Sequence, residues 1–205
     1  MNILASIRRN SLGLALFAVL TAGLIAVTHQ LTEHTIADNI VTAQLNAFNE
    51  ILPADRYTND LPNDTVMLNP DPLLGSAEPV KAFIARKEGQ VTAIIFQTIA
   101  PGGYNGNLDL LVAVDRDGVV TGSRVISHKE TPGLGDKVDL QKSDWILSFA
   151  GKSLDNPEER RWKVKKDGGT FDQFTGATIT PRAVVRAVKN TLIYFKQNED
   201  ALLSR

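Results

Sequence analysis

The chain has 205 residues, a formal net charge of −1, 43% hydrophobic residues, 22% charged residues and no cysteine. That length suits one folded domain with an accessory segment, the charge balance argues against a nucleic-acid partner, and the apolar fraction excludes a disordered chain. Without cysteine there are no disulfides, iron–sulfur clusters, thioether haem links, thiolate zinc sites or cysteine nucleophile, and three histidines do not suggest a multi-histidine metal site.

Between Arg9 and Glu33 no residue carries a full charge, and residues 11–27 read SLGLALFAVLTAGLIAV. As a helix, ~18 residues rising ~1.5 Å each cover ~27 Å, enough for a hydrocarbon core with help from the flanks. The run is longer than a signal-peptide core and no A-x-A-like cleavage site follows it. An uncleaved anchor is therefore expected, ahead of a cleaved signal peptide or a buried core helix. Arg8 and Arg9 precede it, so the positive-inside rule puts the N-terminus in the cytoplasm and everything after His29 on the far side.

Residues 31–52 carry Leu31, Ile36, Ile40, Ala43, Ala47 and Ile51 at helical spacing, which predicts an amphipathic helix ended by Pro53. Residues 53–79 hold five of the nine prolines and read as a loop-rich surface stretch. From Val80 the period changes. Residues 80–86 and 91–98 around Lys87-Glu88-Gly89 predict one hairpin, and residues 108–114 and 119–127 around an Asp115–Gly118 turn predict a second. A Gly-rich connection, residues 100–106, separates them. Residues 143–151 read as a short helix with a Ser143 N-cap and a Gly151 stop, and residues 162–166 (WKVKK) as a further strand. The last helix opens at Thr180-Pro181, with Thr180 as N-cap and Val184, Val185, Val188, Leu192 and Phe195 on one face. The expected fold class is α+β: one N-terminal transmembrane helix, then a single compact domain built on antiparallel hairpins with flanking helices. The division reads as an anchor (1–30), a lead-in (31–79) and an extracytoplasmic domain (80–205).

Several motifs fail. Gly151-Lys152-Ser153 lacks the earlier glycine of a phosphate-binding P-loop, which falls at Ile146. Gly133-Leu134-Gly135 lacks the third glycine and βαβ context of a dinucleotide fingerprint. Asp115 and Asp117 read as turn residues. His128 stays open between a ligand contact and a hydrogen-bonded structural role, while His29 and His34 are expected to be solvated at the membrane exit.

Two segments are less ordinary. Residues 127–137, SHKETPGLGDK, place glycines and a proline among polar groups after a predicted strand, either as a plain surface turn or as a loop whose backbone N–H groups approach a ligand. Residues 172–181, DQFTGATITP, lead small residues into a helix N-terminus, where free N–H groups and the helix dipole favour a phosphate. There Thr178 can face the phosphate, with Lys165, Lys166 and Arg182 as counter-charges; the alternative is that Thr175, Thr178 and Thr180 only cap and turn the chain. Phe174, Tyr104 and Trp145 are candidates to shield a ring, though each reads more readily as core.

Asp172 followed by Thr175-Gly176-Ala177-Thr178 resembles the flavinylation motif of the FMN-binding domain family, and Glu130-Thr131-Pro132-Gly133-Leu134-Gly135 resembles that family's second signature. With the anchor and the last helix, the resemblance covers essentially the whole chain. It is closest to the G-subunit family of Rnf-type (also Rsx) ion-translocating electron transport complexes. The C subunit of the sodium-translocating NADH:quinone oxidoreductase is a more distant relative and the first alternative. A non-redox extracytoplasmic binding module is the second.

The resemblance implies FMN joined through its phosphate to the Thr178 hydroxyl by a separate flavin transferase that uses FAD, with Asp172, Thr175, Gly176 and Ala177 in the motif it reads. It implies that the Thr131–Gly135 loop, with Gly133, Leu134 and Gly135, packs around the isoalloxazine ring; Glu130 of the same signature counts as cofactor-binding, and Lys166 is added as a cofactor-binding cation. The implied role is an electron relay within an ion-translocating oxidoreductase, without independent catalysis by this chain and without a metal. Implied partners are the other membrane proteins of the complex, in a bacterial inner membrane with the main domain periplasmic.

Overall fold

The computed structural model describes the backbone of residues 3–205 and the side chains of residues 11–33 and 46–205. Helix α1 (Ile3–Ile51) is unbroken, so the apolar run and the amphipathic segment form one element that stops two residues before Pro53. Within it, Ser11–Glu33 has a mean hydropathy of 2.2 with none of it buried, long and apolar enough to cross a membrane. The side chains of Ile36, Ile40 and Ala43, part of the expected apolar face, lie outside the described residues. Compactness divides the chain between Asn46 and Ala47, and residues 47–205 form one unit.

That unit is built on a five-stranded antiparallel meander in chain order: β1 (Thr65–Leu68), β2 (Val80–Lys87), β3 (Gln90–Gly103), β4 (Gly106–Asp115) and β5 (Val120–Ser127). The β2–β3 turn has φ of 53° at Glu88 and 80° at Gly89, the paired left-handed values of a two-residue hairpin. At the β4–β5 turn Asp115 Oδ1 accepts from the N–H groups of Asp117 at 3.0 Å and Val119 at 2.9 Å, which accounts for that carboxylate as a turn residue.

The middles of β2, β3 and β4 are continuous apolar runs because the sheet is covered on both faces there. One face sends Ile84, Ile94, Phe96, Leu110 and Val112 against Val184, Val188, Leu192 and Phe195 of helix α2 (Ile179–Leu203). The other sends Phe83, Ile95, Leu111 and Ala113 against Phe48, Ile51 and Leu52 at the end of α1, with the Phe48 and Phe83 rings 4.6 Å apart. Polar contacts fasten the same end. Arg124 Nε donates to Glu50 Oε2 at 2.7 Å, and the Thr121 hydroxyl donates to the Ile51 carbonyl at 2.8 Å.

The structure departs from the expected elements in four places. The proline-rich stretch contains β1, a short edge strand paired only with β2. The Gly-rich connection is the tip of a long β3–β4 hairpin, with Gly103 paired to Gly106. WKVKK is no strand: Val164 makes an isolated bridge to Phe171, and Lys165–Asp167 is a 3₁₀ turn. Residues 143–151 do form a helix capped by Ser143, whose hydroxyl accepts from Trp145 N–H at 3.2 Å, but it is the 3₁₀ type over Asp144–Phe149.

A Cβ on Gly122 would lie 2.6 Å from Ile51 Cα and 2.7 Å from its carbonyl oxygen, both backbone atoms of α1. Gly122→Ala is expected to lower stability by about 1–3 kcal/mol, as overpacking does. Urea unfolding of the detergent-solubilised chain measures this.

Candidate functional site

Between β5 and α2, residues 128–178 form neither strand nor α-helix, yet they carry both motif segments. An aromatic cluster holds them in place of regular structure: Phe149 and Phe171 lie 4.7 Å apart, Trp162 and Phe171 5.0 Å, and Trp145 and Phe174 5.1 Å. Trp145 and Phe174 therefore belong to this packing, and the Trp145 Nε1–H donates to the Asp172 carbonyl at 2.8 Å. Tyr104 does not. It sits at the β3–β4 tip, 67% exposed, which corrects its reading as a core residue.

The motif segments meet in a cleft of about 310 Å³ lined by Tyr104, Glu130, Thr131, Leu134 and Gly135 on one side and by residues 176–180 on the other. Glu130 ties the walls together. Its Oε2 accepts from the Thr180 hydroxyl at 2.5 Å, and its Oε1 accepts from Asn105 N–H at 3.2 Å. Asn105 Nδ2 also donates to the Thr131 hydroxyl at 3.1 Å. Gly135 leaves room for that carboxylate, since a Cβ there would fall on Glu130 Oε2 and 2.8 Å from Thr180 Oγ1. His128 Nδ1 accepts from Glu130 N–H at 3.1 Å, which gives that side chain its structural role.

The second wall is a tight turn. Ala177 N–H donates to the Phe174 carbonyl at 3.1 Å, and Gly176 takes φ 81°, the left-handed value at the third position of a type II turn. This turn delivers the chain to α2, which begins at Ile179 and not at Pro181. Thr180 is consequently inside the helix, fully buried, with its hydroxyl on Glu130; the expected N-cap role falls instead at Thr178. The Thr178 hydroxyl makes no capping hydrogen bond, and the residue lines the cleft beside the first, unpaired N–H groups of the helix.

Glu130, Thr131, Leu134, Gly135, Gly176, Ala177 and Thr178 are thus brought together. Gly133 and Thr175 lie in the adjoining turns, exposed and outside the lining. Asp172 is exposed and pairs with Lys165 at 2.6 Å. Arg182 is bound by both oxygens of Asp167, at 2.6 and 2.7 Å. Two of the three expected counter-charges are therefore engaged, while Lys166 enters no ion pair among the described residues and uses its N–H on Gln173 Oε1. Ile179 also lines the cleft, a residue that sequence reasoning misses. As one more apolar residue before a helix, it carries no signal.

A family described as FMN-binding domain matches residues 103–193, and one described as RnfG N-terminal region matches residues 1–51. The chain is 48% identical over 202 residues to the G subunit of the ion-translocating oxidoreductase complex of Vibrio atlanticus (strain LGP32), covering 98% of this chain and 96% of that protein. The protein of the same name from Yersinia pestis is 49% identical over 193 residues (94% and 92%), and that of Shewanella loihica (strain ATCC BAA-1088 / PV-4) 46% over 200 residues (98% and 94%).

The hydrogen bond from Arg182 holds the Asp167 carboxyl below its ordinary value of 3.8, and Arg182 is raised in return. A carboxyl depressed in the folded state adds stability above its unfolded value and loses that contribution as pH falls through the folded one. Asp167→Asn is therefore expected to melt below wild type at neutral pH, by a gap that stays constant down to about pH 4 and closes in stronger acid. Thermal melts across a pH series read the gap.

Proposed function

The chain belongs to the G-subunit family of ion-translocating oxidoreductase complexes, and from that premise we propose that it carries its FMN on the Thr178 hydroxyl as a phosphoester. It is a membrane protein and the FMN-containing electron-relay subunit of such a complex. The observation that carries the tether is the uncommitted Thr178 hydroxyl, set at the cleft where α2 starts.

The cleft suits FMN at both ends. Its polar end is the Thr178 hydroxyl with the leading N–H groups of α2, where the helix dipole stabilises a phosphodiester's remaining negative charge. At its other end Leu134 and Tyr104 stand exposed on the rim, available to a flat ring. FMN supplies reversible uptake of electrons. The chain positions it: Glu130, Thr131 and Gly135 shape the ring side, with Gly133 in the turn that carries them, while Thr175, Gly176 and Ala177 aim Thr178. Lys166, without an ion pair among the described residues, is the cation left to the phosphate side.

Attachment uses a flavin transferase and FAD. The Thr178 oxygen forms the new bond to the FMN phosphorus, the pyrophosphate bond breaks, AMP leaves, and the hydroxyl proton passes to the transferase or solvent. Asp172 is exposed and thus open to the transferase. The other membrane proteins of the complex donate and accept the electrons. Arg8 and Arg9 before the span support an N-terminus in the cytoplasm of a bacterial inner membrane and a periplasmic main domain.

Co-expression with a flavin transferase, followed by a denaturing gel, tests the tether. Wild type and Thr175→Ser are expected to keep flavin fluorescence, and Thr178→Val to lose it entirely. Fluorescence on Thr178→Val would move the attachment elsewhere.

A further inference from the structure

We propose that Glu130 sets the reduction potential of the bound flavin by keeping an uncompensated negative charge in the cleft wall; the proposal rests on the flavin reading above. Among the described residues, two charged side chains are deeply buried, and the fold treats them in opposite ways. Arg124, 7% exposed, is neutralised by Glu50 at 2.7 Å. Glu130, 6% exposed, has no ion-pair partner among the described residues and receives only a hydroxyl, from Thr180 at 2.5 Å, and an N–H, from Asn105 at 3.2 Å.

A clasp between hairpin and helix does not require a charge. A neutral acceptor of similar size would bond one of these donors without the desolvation that a carboxylate suffers. The charge is held instead by dipoles: the hydroxyl, the N–H and the positive end of α2. It also lines the same cleft as Leu134, Thr131 and Thr178. In a desolvated site such a charge acts over a longer range than in water. Each electron that enters from a partner protein without a proton adds negative charge to the flavin, and the carboxylate opposes it. No bond to the protein forms or breaks, and Glu130 gives up neither proton nor electron. The result is a lower potential than the same cleft would give with a neutral residue.

Redox titration of the full chain, purified with its covalent flavin, tests this. Glu130→Gln is expected to raise the midpoint potential by about tenfold in the one-electron equilibrium constant, or 59 mV. Thr180→Val removes the hydroxyl and leaves the carboxylate, so it is expected to lower the potential, while Thr180→Ser matches wild type. A purely structural clasp predicts instead that Glu130→Gln and Thr180→Val shift in the same direction, since each breaks one bond. A shared direction, or a Glu130→Gln potential equal to wild type, overturns the proposal. If Glu130→Gln takes up no flavin, Thr180→Val decides alone: a potential below wild type supports the proposal, and one equal to it or above overturns it. Failure of the Thr178 tether is a separate result, read on the denaturing gel of the wild-type chain before any titration.

Discussion

The site depends on one contact, the 2.5 Å hydrogen bond from the Thr180 hydroxyl to Glu130. Three segments far apart in the chain converge on that carboxylate: the β3–β4 tip through Asn105, the loop after β5 through Glu130 itself, and α2 through Thr180. None of them is regular structure where it meets the others, except the first turn of the helix. A cleft walled by such segments keeps its shape only if something fixes their spacing. A buried carboxylate does so because it is costly to leave unpaired, so the loop cannot drift from its two donors without losing both. Gly135 serves the same contact by omission, since any side chain there would occupy the space of the carboxylate and the hydroxyl.

The rest of the domain supplies rigidity. The meander is sealed on one face by α2 and on the other by the end of α1, so the strands that carry the site's hairpin cannot twist independently. Beyond the sheet, the long irregular stretch is held by stacked and tilted aromatic rings, which bury large area without needing backbone pairing. Arg186 adds a clamp on the open side, its Nη2 donating to the Pro101 carbonyl at 2.8 Å near the hairpin tip. The functional loops are therefore without strand or α-helix but not without constraint.

How much of this is legible in the sequence differs by residue, and the reasons are physical. The two motif segments, the hairpins from Val80 and the apolar face of α2 can be read because their signals are local: a period, a turn residue, a spacing. Thr180 misleads because both an N-cap and a second helical residue can be a threonine beside Pro181; the choice is settled by Glu130, fifty positions away. WKVKK alternates like a strand, but Gly169 packs its backbone against Lys163, which folds the segment back so that Val164 meets Phe171. Strand β1 is four residues long, too short to show a period amid prolines. Tyr104 reads as core by its chemistry, and only the length of the hairpin carries it out to the rim.

The charges around α2 bear on why a tether would be needed at all. Arg182 and Lys165, two of the three cations expected to face a phosphate, are already bound to Asp167 and Asp172. Glu130 adds a further negative charge within the cleft. A free FMN phosphate with nearly two negative charges would thus find helix dipoles and few spare cations, a weak hold by comparison with sites built on bidentate arginines. Esterification removes one of those charges and replaces affinity with a bond. With no cysteine in the chain, a thioether link is closed to it. A hydroxyl at a helix N-terminus is a nucleophile whose product the local field stabilises. The scarcity of spare cations and the proposed phosphoester on Thr178 are then two aspects of one design, because a site that binds the phosphate weakly retains its flavin only when the flavin is part of the chain.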